Sequence, residues 1–592
     1  MAKRSSARSA RRPASPRTRA RATRPPVAPR TQGPGSPTVA PPITEPYLAS
    51  CHALLVHAAP AEQDDSRALS IAEQAVRESI GEGHVVTPLG PGARDYRVTR
   101  ADGAAFDPGR AWTLTRELKA HRDVADAEPA IEQPGLEPPP GVVEDRPVAR
   151  DFKADKPLAC AETDPEWILK LCRVREAWAL TPPTPDGRTK GEGIVIGHPD
   201  TGYTPHAEIW DDPPRVRVVD SYDFVLRQPD ARDPLEDGNP GHGTTTASVI
   251  MSSTGGSGTR FVSGLAPAAT IVPLRVTPRV VLLGFDRLAE AIRYATDKGC
   301  HVISMSLGGP APSGTLERAI RHAVSEGVVV LAAAGNVWPF VVYPARFDLV
   351  IACAACNCRR GIWSKSASGD TVDVTAPGET VWVARPGRDA GAGDDIVDVG
   401  SGTSYAVATT AGACALWLAY HGRDALIARY GRGQIAAVFK ELLMTAGVQT
   451  PQGWRSDKHG AGILDVEKLL RAPLPATPPA AGLRLRSALA PRPENDVDRF
   501  LPYFPEAEPI DVRRGLVRLL QTTDRELPSV LVDVGDELLF HVATNPAVRT
   551  RVLKPAGPKK RGQTIAPRMP GRAAAPRLSR EGSRALLARM QR

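Results

Sequence analysis

Cysteine is scarce: eight in 592 residues, too few for the disulfide framework of a small secreted scaffold. Cys353, Cys356 and Cys358 cluster, but no second pair or histidine group stands at zinc-site spacing. Cys353 and Cys356 adjoin the apolar run Leu349-Val350-Ile351-Ala352, so the cluster reads as buried structural thiols. No apolar run approaches the ~18 residues of a membrane-crossing helix, which excludes an integral helical membrane protein. Gly (52) and Pro (58) are plentiful but follow no three-residue period, which excludes collagen. The Arg-rich start lacks the apolar stretch of a secretory signal, so no compartment can be assigned from it.

What is present is core-forming material. Hydrophobic residues make up 42% and charged residues 24%, enough for two to four domains. The net charge of +9 is unevenly spread. Residues 1–46 carry ten Lys/Arg and one acid, and residues 551–592 carry twelve and one. Tails of +9 and +11 leave the body at −11. The tails offer weak contact with nucleic acid or an anionic surface, although their Pro/Arg/Ser composition favours solvated disorder.

The chain divides by pattern. After the tail 1–46, residues 47–133 hold a strand (His52–Ala58), a helix (Asp65–Ile80), two short strands (Val85–Leu89, Tyr96–Thr99), a helix (Ala111–His121) and a strand (Val124–Ile131). The order β-α-β-β-α-β predicts a small ferredoxin-like α+β unit. Residues 134–162 are a Pro-rich linker. From 163 to 470, apolar strands alternate with helices whose apolar residues fall on one stripe (Phe285, Leu288, Ile292, Ala295). That predicts an α/β domain whose parallel sheet is covered on both faces. Residues 471–550 read as a linker and a small C-terminal region, with a helix at Val512–Leu520 and a strand pair at Ser529–Val534 and Glu537–Val542. The tail 551–592 closes the chain.

Four segments of the α/β domain carry reactive side chains. An apolar strand runs into Asp200-Thr201-Gly202, which places a carboxylate where open α/β sheets bind ligands. His242 stands between glycines at the start of a helix; the glycines allow close backbone approach and leave the imidazole accessible. A buried strand ends in Gly335-Asn336, whose amide can donate into a crevice. Ser404 follows a Gly-rich turn and opens a helix apolar on nearly all sides, with unsatisfied N–H groups at its start. Each has a bland explanation as a turn, a cap or a core residue. Their co-occurrence in one domain, in the order Asp, His, Asn, Ser, does not.

On these residues the chain resembles the subtilisin-like serine proteases (subtilases, peptidase family S8) over about 165–470. The signatures are Asp200-Thr201-Gly202, Gly241-His242-Gly243-Thr244, Ala333-Ala334-Gly335-Asn336 and Gly402-Thr403-Ser404. Gly264–Ala268, Ala376-Pro377-Gly378 and the Trp167 to Trp178 stretch match further segments. The resemblance implies a serine endopeptidase acting on polypeptides through an acyl-enzyme. Ser404 would be the nucleophile, His242 the proton carrier, Asp200 its orienting carboxylate and Asn336 an oxyanion donor. Ser306, Leu307, Gly308 and Gly309 would pair with the substrate backbone, with Ala334 and Gly335 beside it. It implies no cofactor, and no loop dense in Asp/Asn argues for a metal. The unit 47–133 would be an inhibitor I9-like propeptide, making the chain an autoprocessed zymogen and that unit its own partner. An extracellular site follows by family analogy alone. Two positions depart from the family: Tyr405 replaces the usual Met, and Ala408 the usual Pro. The rival reading is a catalytically silent protein on a protease scaffold.

Overall fold

The computed structural model describes residues 50–59, 65–132, 158–210, 215–236, 238–252, 261–336, 338–387, 396–479, 497–504, 507–554 and 586. Both basic tails (Lys554 and earlier residues and Leu586 apart) and linker residues 133–157 lie outside them.

The N-terminal unit runs β1 (Ser50–Ala58), α1 (Asp65–Ile80), β2 (His84–Pro88), β3 (Asp95–Arg100), α2 (Pro108–Lys119) and β4 (Val124–Glu132). Its strands form an antiparallel sheet in the order β2-β3-β1-β4. Helix α2 starts where Asp107 accepts the Arg110 N–H and Pro108 needs no partner, as a helix N-terminus favours. Leu54, Val56, Val76, Val98, Leu114 and Leu118 fill the core between sheet and helices.

The main body is subtilisin-like α/β. Its central strands are β5 (Val195–Asp200), β6 (Thr270–Arg275), β7 (Val302–Met305), β8 (Val329–Ala333), β9 (Ile351–Cys356) and β10 (Val374–Pro377). They lie in the order β10-β9-β8-β7-β5-β6 and pair in parallel; short antiparallel pairs finish both edges. The chain leaves β5 for β6 on one side and returns to β7 on the other, so the strand order reverses at β5/β7. In open α/β sheets the crevice lies at that reversal, outside the carboxyl ends of the strands.

The helices that matter are α3 (His242–Met251), α4 (Asp286–Asp297), α5 (Gly314–Ser325) and α6 (Thr403–His421). Every residue of α6 is buried, as expected of a helix without a polar face. Helix α6 runs unbroken through Ala408 for 19 residues. By contrast α4 and α5 bury one stripe, and the N-terminal unit meets their other face through Arg97–Asp286, Arg293–Asp95 and Arg318–Asp126 pairs.

Two expectations fail. The segment expected as a strand pair is one helix, α8 (Leu527–Thr544), between α7 (Pro509–Leu519) and α9 (Pro546–Leu553). Leu527, Leu531, Val534, Leu538 and Val542 are its buried residues, a helical stripe that outweighs the turn suggested by Gly535-Asp536. And Cys358 is not a thiol: it forms a disulfide with Cys160, 198 residues away. Cys353 and Cys356 are free and buried as expected; burial pushes the Cys353 thiol up to about 12.

The C-terminal helices share an apolar cluster with Ala311 and Phe340 of the main body. Tyr503 stacks edge-on against Phe340 and donates to the Pro310 carbonyl at 2.7 Å. Among the described residues no helix is long and apolar enough to cross a membrane.

Candidate active site

Asp200 is the last residue of β5 and is fully buried. Its Oδ1 accepts the Thr201 N–H at 2.7 Å and lies 2.8 Å from His242 Nδ1. Burial alone would raise the Asp200 carboxyl; the adjoining His242 charge and hydrogen bond overcome it and hold the group below its ordinary value. Asp200 thus engages Nδ1 of the imidazole, whose second nitrogen is Nε2.

His242 begins α3 because the glycines around it permit the packing. Gly241 has φ +74, and a side chain there would meet Pro386. A Cβ on Gly243 would lie 2.0 Å from the Gly202 carbonyl oxygen. Helix start and aspartate turn thus touch backbone to backbone, which sets the short reach between imidazole and carboxylate.

Ser404 stands in the first turn of α6 and is 5% exposed. Its hydroxyl donates to the Ser306 carbonyl at 3.3 Å, and the Ser306 hydroxyl donates to the Ser404 carbonyl at 3.1 Å. This reciprocal pair ties the end of β7 to the start of α6. Asn336 follows β8. Its Oδ1 accepts from the Thr403 backbone N–H at 2.9 Å and the Thr403 hydroxyl at 2.7 Å. A backbone N–H is a donor only, so the amide oxygen must face it, which leaves Nδ2 to donate elsewhere. Asn336 thereby caps α6 from another strand, where Gly402 offers no side chain.

One cleft collects these groups. It is lined by His242, Ser306, Leu307, Gly308, Gly335, Asn336 and Ser404, with Val280, Val281, Trp338 and Val342. Asp200 lies outside the lining, bonded to His242. Gly309 and Ala334 are also outside it. Gly309 exchanges both backbone bonds with Tyr343, and Ala334 bonds to Cys353 and Val342. Tyr405 turns inward, 1% exposed, against Gly400.

Sequence reading missed the supports of this cluster. Thr201 donates to Asp233 at 2.6 Å, and Asp233 also accepts the Gly241 N–H at 2.8 Å, joining the aspartate turn to the histidine turn. Thr246 Oγ1 is 3.0 Å from His198 Nε2; burial lowers the His198 imidazole despite the nearby Asp200 charge. Only His198 left a signal, a polar residue inside an apolar strand. Among the described residues no group of three or more His, Cys, Asp or Glu is arranged to hold a metal ion.

Comparison with known proteins finds likeness over the part of the chain that holds these residues. Residues 191–461 match the subtilase family, Peptidase_S8. The chain is 33% identical over 188 residues to subtilisin BL of Lederbergia lenta, covering 32% of this chain and 64% of that protein. It is 35% identical over 190 residues to thermitase of Thermoactinomyces vulgaris, covering the same shares. It therefore spans less than two thirds of the curated relatives it matches. Among solved structures, fervidolysin of Fervidobacterium pennivorans, a keratinolytic enzyme related to subtilisin, superposes with a TM-score of 0.52 at 22% identity, over 72% of this chain and 62% of its own. That likeness bears on the fold.

Proposed function

We propose that this chain is a serine endopeptidase of the subtilisin type, hydrolysing peptide bonds with Ser404, His242 and Asp200. The observation that carries the reading is the buried 2.8 Å His242–Asp200 contact beside a cleft lined by Ser404 and Asn336. Ser404 Oγ attacks the scissile carbonyl, and His242 Nε2 takes its proton and hands it to the leaving amine. Asp200, ionised throughout, fixes the tautomer and stabilises the imidazolium. Asn336 Nδ2 and the N–H groups at the start of α6 stabilise the oxyanion. In the resting chain the Ser404 hydroxyl donates to Ser306, so a side-chain rotation precedes attack; loose resting geometry is common at such sites. The uncharged cleft lining suits an uncharged side chain before the scissile bond.

The N-terminal unit reads as an inhibitory propeptide. Its β4 carboxylate Glu128 accepts the Gly314 and Thr315 N–H groups and the Ser313 hydroxyl, occupying the N-terminus of α5 as a capping anion would. Ile131, near the end of β4, backs against Gly284, where a Cβ would lie 2.8 Å from its carbonyl oxygen. Gly284 follows Val280 and Val281, which line the cleft, and the bond that autoprocessing would cut lies within 132–165.

Purified protein should label at Ser404 with a fluorophosphonate probe and cleave an unfolded protein substrate, and Ser404→Ala should do neither. The residual rate should fall by about 10⁶, the loss measured on subtilisin itself. Hydrolysis retained by Ser404→Ala would sink the assignment.

A further inference from the structure

A protease that holds its substrate as an added strand needs an edge with unpaired N–H and C=O groups. The edge expected here is Ser306–Gly309. Its central residue is already paired. The Gly308 N–H donates to the Val280 carbonyl at 2.9 Å, and the Gly308 carbonyl accepts the Leu282 N–H at 2.8 Å, a parallel bridge centred on Val281. On the next residue, Gly309 exchanges two 2.8 Å bonds with Tyr343. The two glycines admit these neighbours: a Cβ on Gly309 would lie 1.8 Å from the Leu282 carbonyl oxygen, and one on Gly308 2.5 Å from that of Tyr343. Space that could have taken a peptide backbone is filled by the chain's own.

The occupying strand is anchored. The Val280 N–H donates to Asn239 Oδ1 at 3.1 Å, and the Asn239 N–H donates to the Pro278 carbonyl at 3.0 Å. Val280 and Val281 line the same cleft as Ser404 and His242, so the strand sits against the reactive groups.

Resting on the protease reading, we propose that Val280–Leu282 stands in the substrate's strand position, so that the enzyme selects peptides by the residues next to the scissile bond and gains little from residues farther upstream. An extended substrate can pair with Gly308 only by replacing two hydrogen bonds already made. The exchange is near neutral, whereas a vacant edge would return about 10- to 100-fold in affinity for two bonds. The substrate class is polypeptide with short-range sequence demand on the acyl side.

The test is a series of chromogenic peptide amides with one, two and four residues before the scissile bond and the last residue constant. Wild-type kcat/KM should rise less than about 3-fold from two residues to four. Leu282→Pro removes the N–H that pairs with the Gly308 carbonyl, and there the same lengthening should return about 10-fold or more. A wild-type gain of about 30-fold, unchanged in Leu282→Pro, would overturn the proposal. A second readout needs no turnover and guards against a Leu282→Pro variant that misfolds: in the free wild-type chain the Gly308 and Leu282 amides should exchange hydrogen at least about 100-fold more slowly than unprotected amides. Unprotected exchange at both would refute the strand's occupancy even if every peptide is cleaved. Loss of fluorophosphonate labelling with both amides protected would instead strike the protease reading and leave the strand's occupancy standing.

Discussion

Among the described residues three buried aspartates meet an imidazole at nearly one distance. Asp200 meets His242 at 2.8 Å, Asp286 meets His52 at 2.9 Å and Asp95 meets His57 at 3.0 Å. The pairs differ in their other neighbours. Asp286 also holds Arg97, and Asp95 holds Arg293 and Arg318. Those carboxylates also face guanidinium groups that keep their protons, so part of their charge is balanced whatever the imidazole does. At Asp200 the other hydrogen bonds come from the Thr201 N–H and the Thr246 hydroxyl, and the charges that lower it are imidazoles, His242 first and His198 after it. The imidazole there also faces a cleft holding a hydroxyl and an amide. Distance alone does not distinguish the three pairs; the other groups around the carboxylate and the cleft beside the imidazole do.

Substitution should separate two of these pairs most sharply in catalysis. Asp200→Asn keeps the shape but loses the charge that fixes the imidazole tautomer, and should lower kcat by about 10⁴. Asp286→Asn should leave kcat of the chain freed of its N-terminal unit within about 2-fold, since the altered contacts serve the junction with that unit. Steady-state kinetics on processed protein decides, and a loss of similar size at Asp286 would erase the distinction.

The sharing of charge at Asp95 can be measured on its own. Breaking a buried ion pair costs about 3–5 kcal/mol when the remaining charge is stranded. Arg318→Met strands nothing, because Arg293 and His57 stay on Asp95. The expected loss is about 1–3 kcal/mol, read by denaturant unfolding of the Ser404→Ala chain. Adding Arg293→Met should cost more than the sum of the two single changes.

Acid should loosen the junction and spare the catalytic pair's shape. Burial would raise Asp95, Asp126 and Asp286, but His57 with Arg318, Lys119 with Arg318, and His52 with Arg97 overcome it and hold all three down. Their stabilisation is complete above the ordinary value of 3.8 and is lost as pH falls through the depressed ones. Glu128 acts oppositely: burial and the Asp126 charge raise it, so its share is present in acid and lost as pH rises. Three against one predicts net weakening on acidification. Small-angle scattering of the Ser404→Ala chain should show expansion between about pH 5 and pH 2; a chain equally compact at both would contradict the count.

Legibility followed locality. Asp200, His242, Asn336 and Ser404 were readable because each sits in a run of three or four residues whose glycines or strand end fix its geometry nearby. The stripe Phe285, Leu288, Ile292, Ala295 was readable because α4 buries one side. What stayed hidden depends on distant chain. Cys160 and Cys358 carry no spacing signal across 198 residues. The Thr403 bonds that orient Asn336 join segments 67 residues apart. The pairing of Val280–Leu282 with Gly308 leaves no mark in either segment. Helix α8 was misread for another reason: Gly535-Asp536 is a strong local turn signal, and burial of Leu531, Val534 and Leu538 against neighbouring helices overrode it.

The smallest effect is expected where the N-terminal unit meets the C-terminal helices. Lys119 on α2 pairs with Asp536 on α8 at 2.8 Å, and the two side chains are 31% and 47% exposed. Exposed pairs contribute about 0.2–1 kcal/mol, and salt screens them. Lys119 also pairs with Asp126 of its own unit at 3.1 Å, so Lys119→Ala removes two weak contacts and leaves Asp126 with Arg318. Its cost should stay below about 1 kcal/mol and shrink further in 0.5 M salt, whereas Arg318→Met, acting on a carboxylate 1% exposed, should lose little of its effect. A Lys119→Ala cost that equals that of Arg318→Met and ignores salt would mean that the C-terminal helices hold the N-terminal unit as firmly as the main body does.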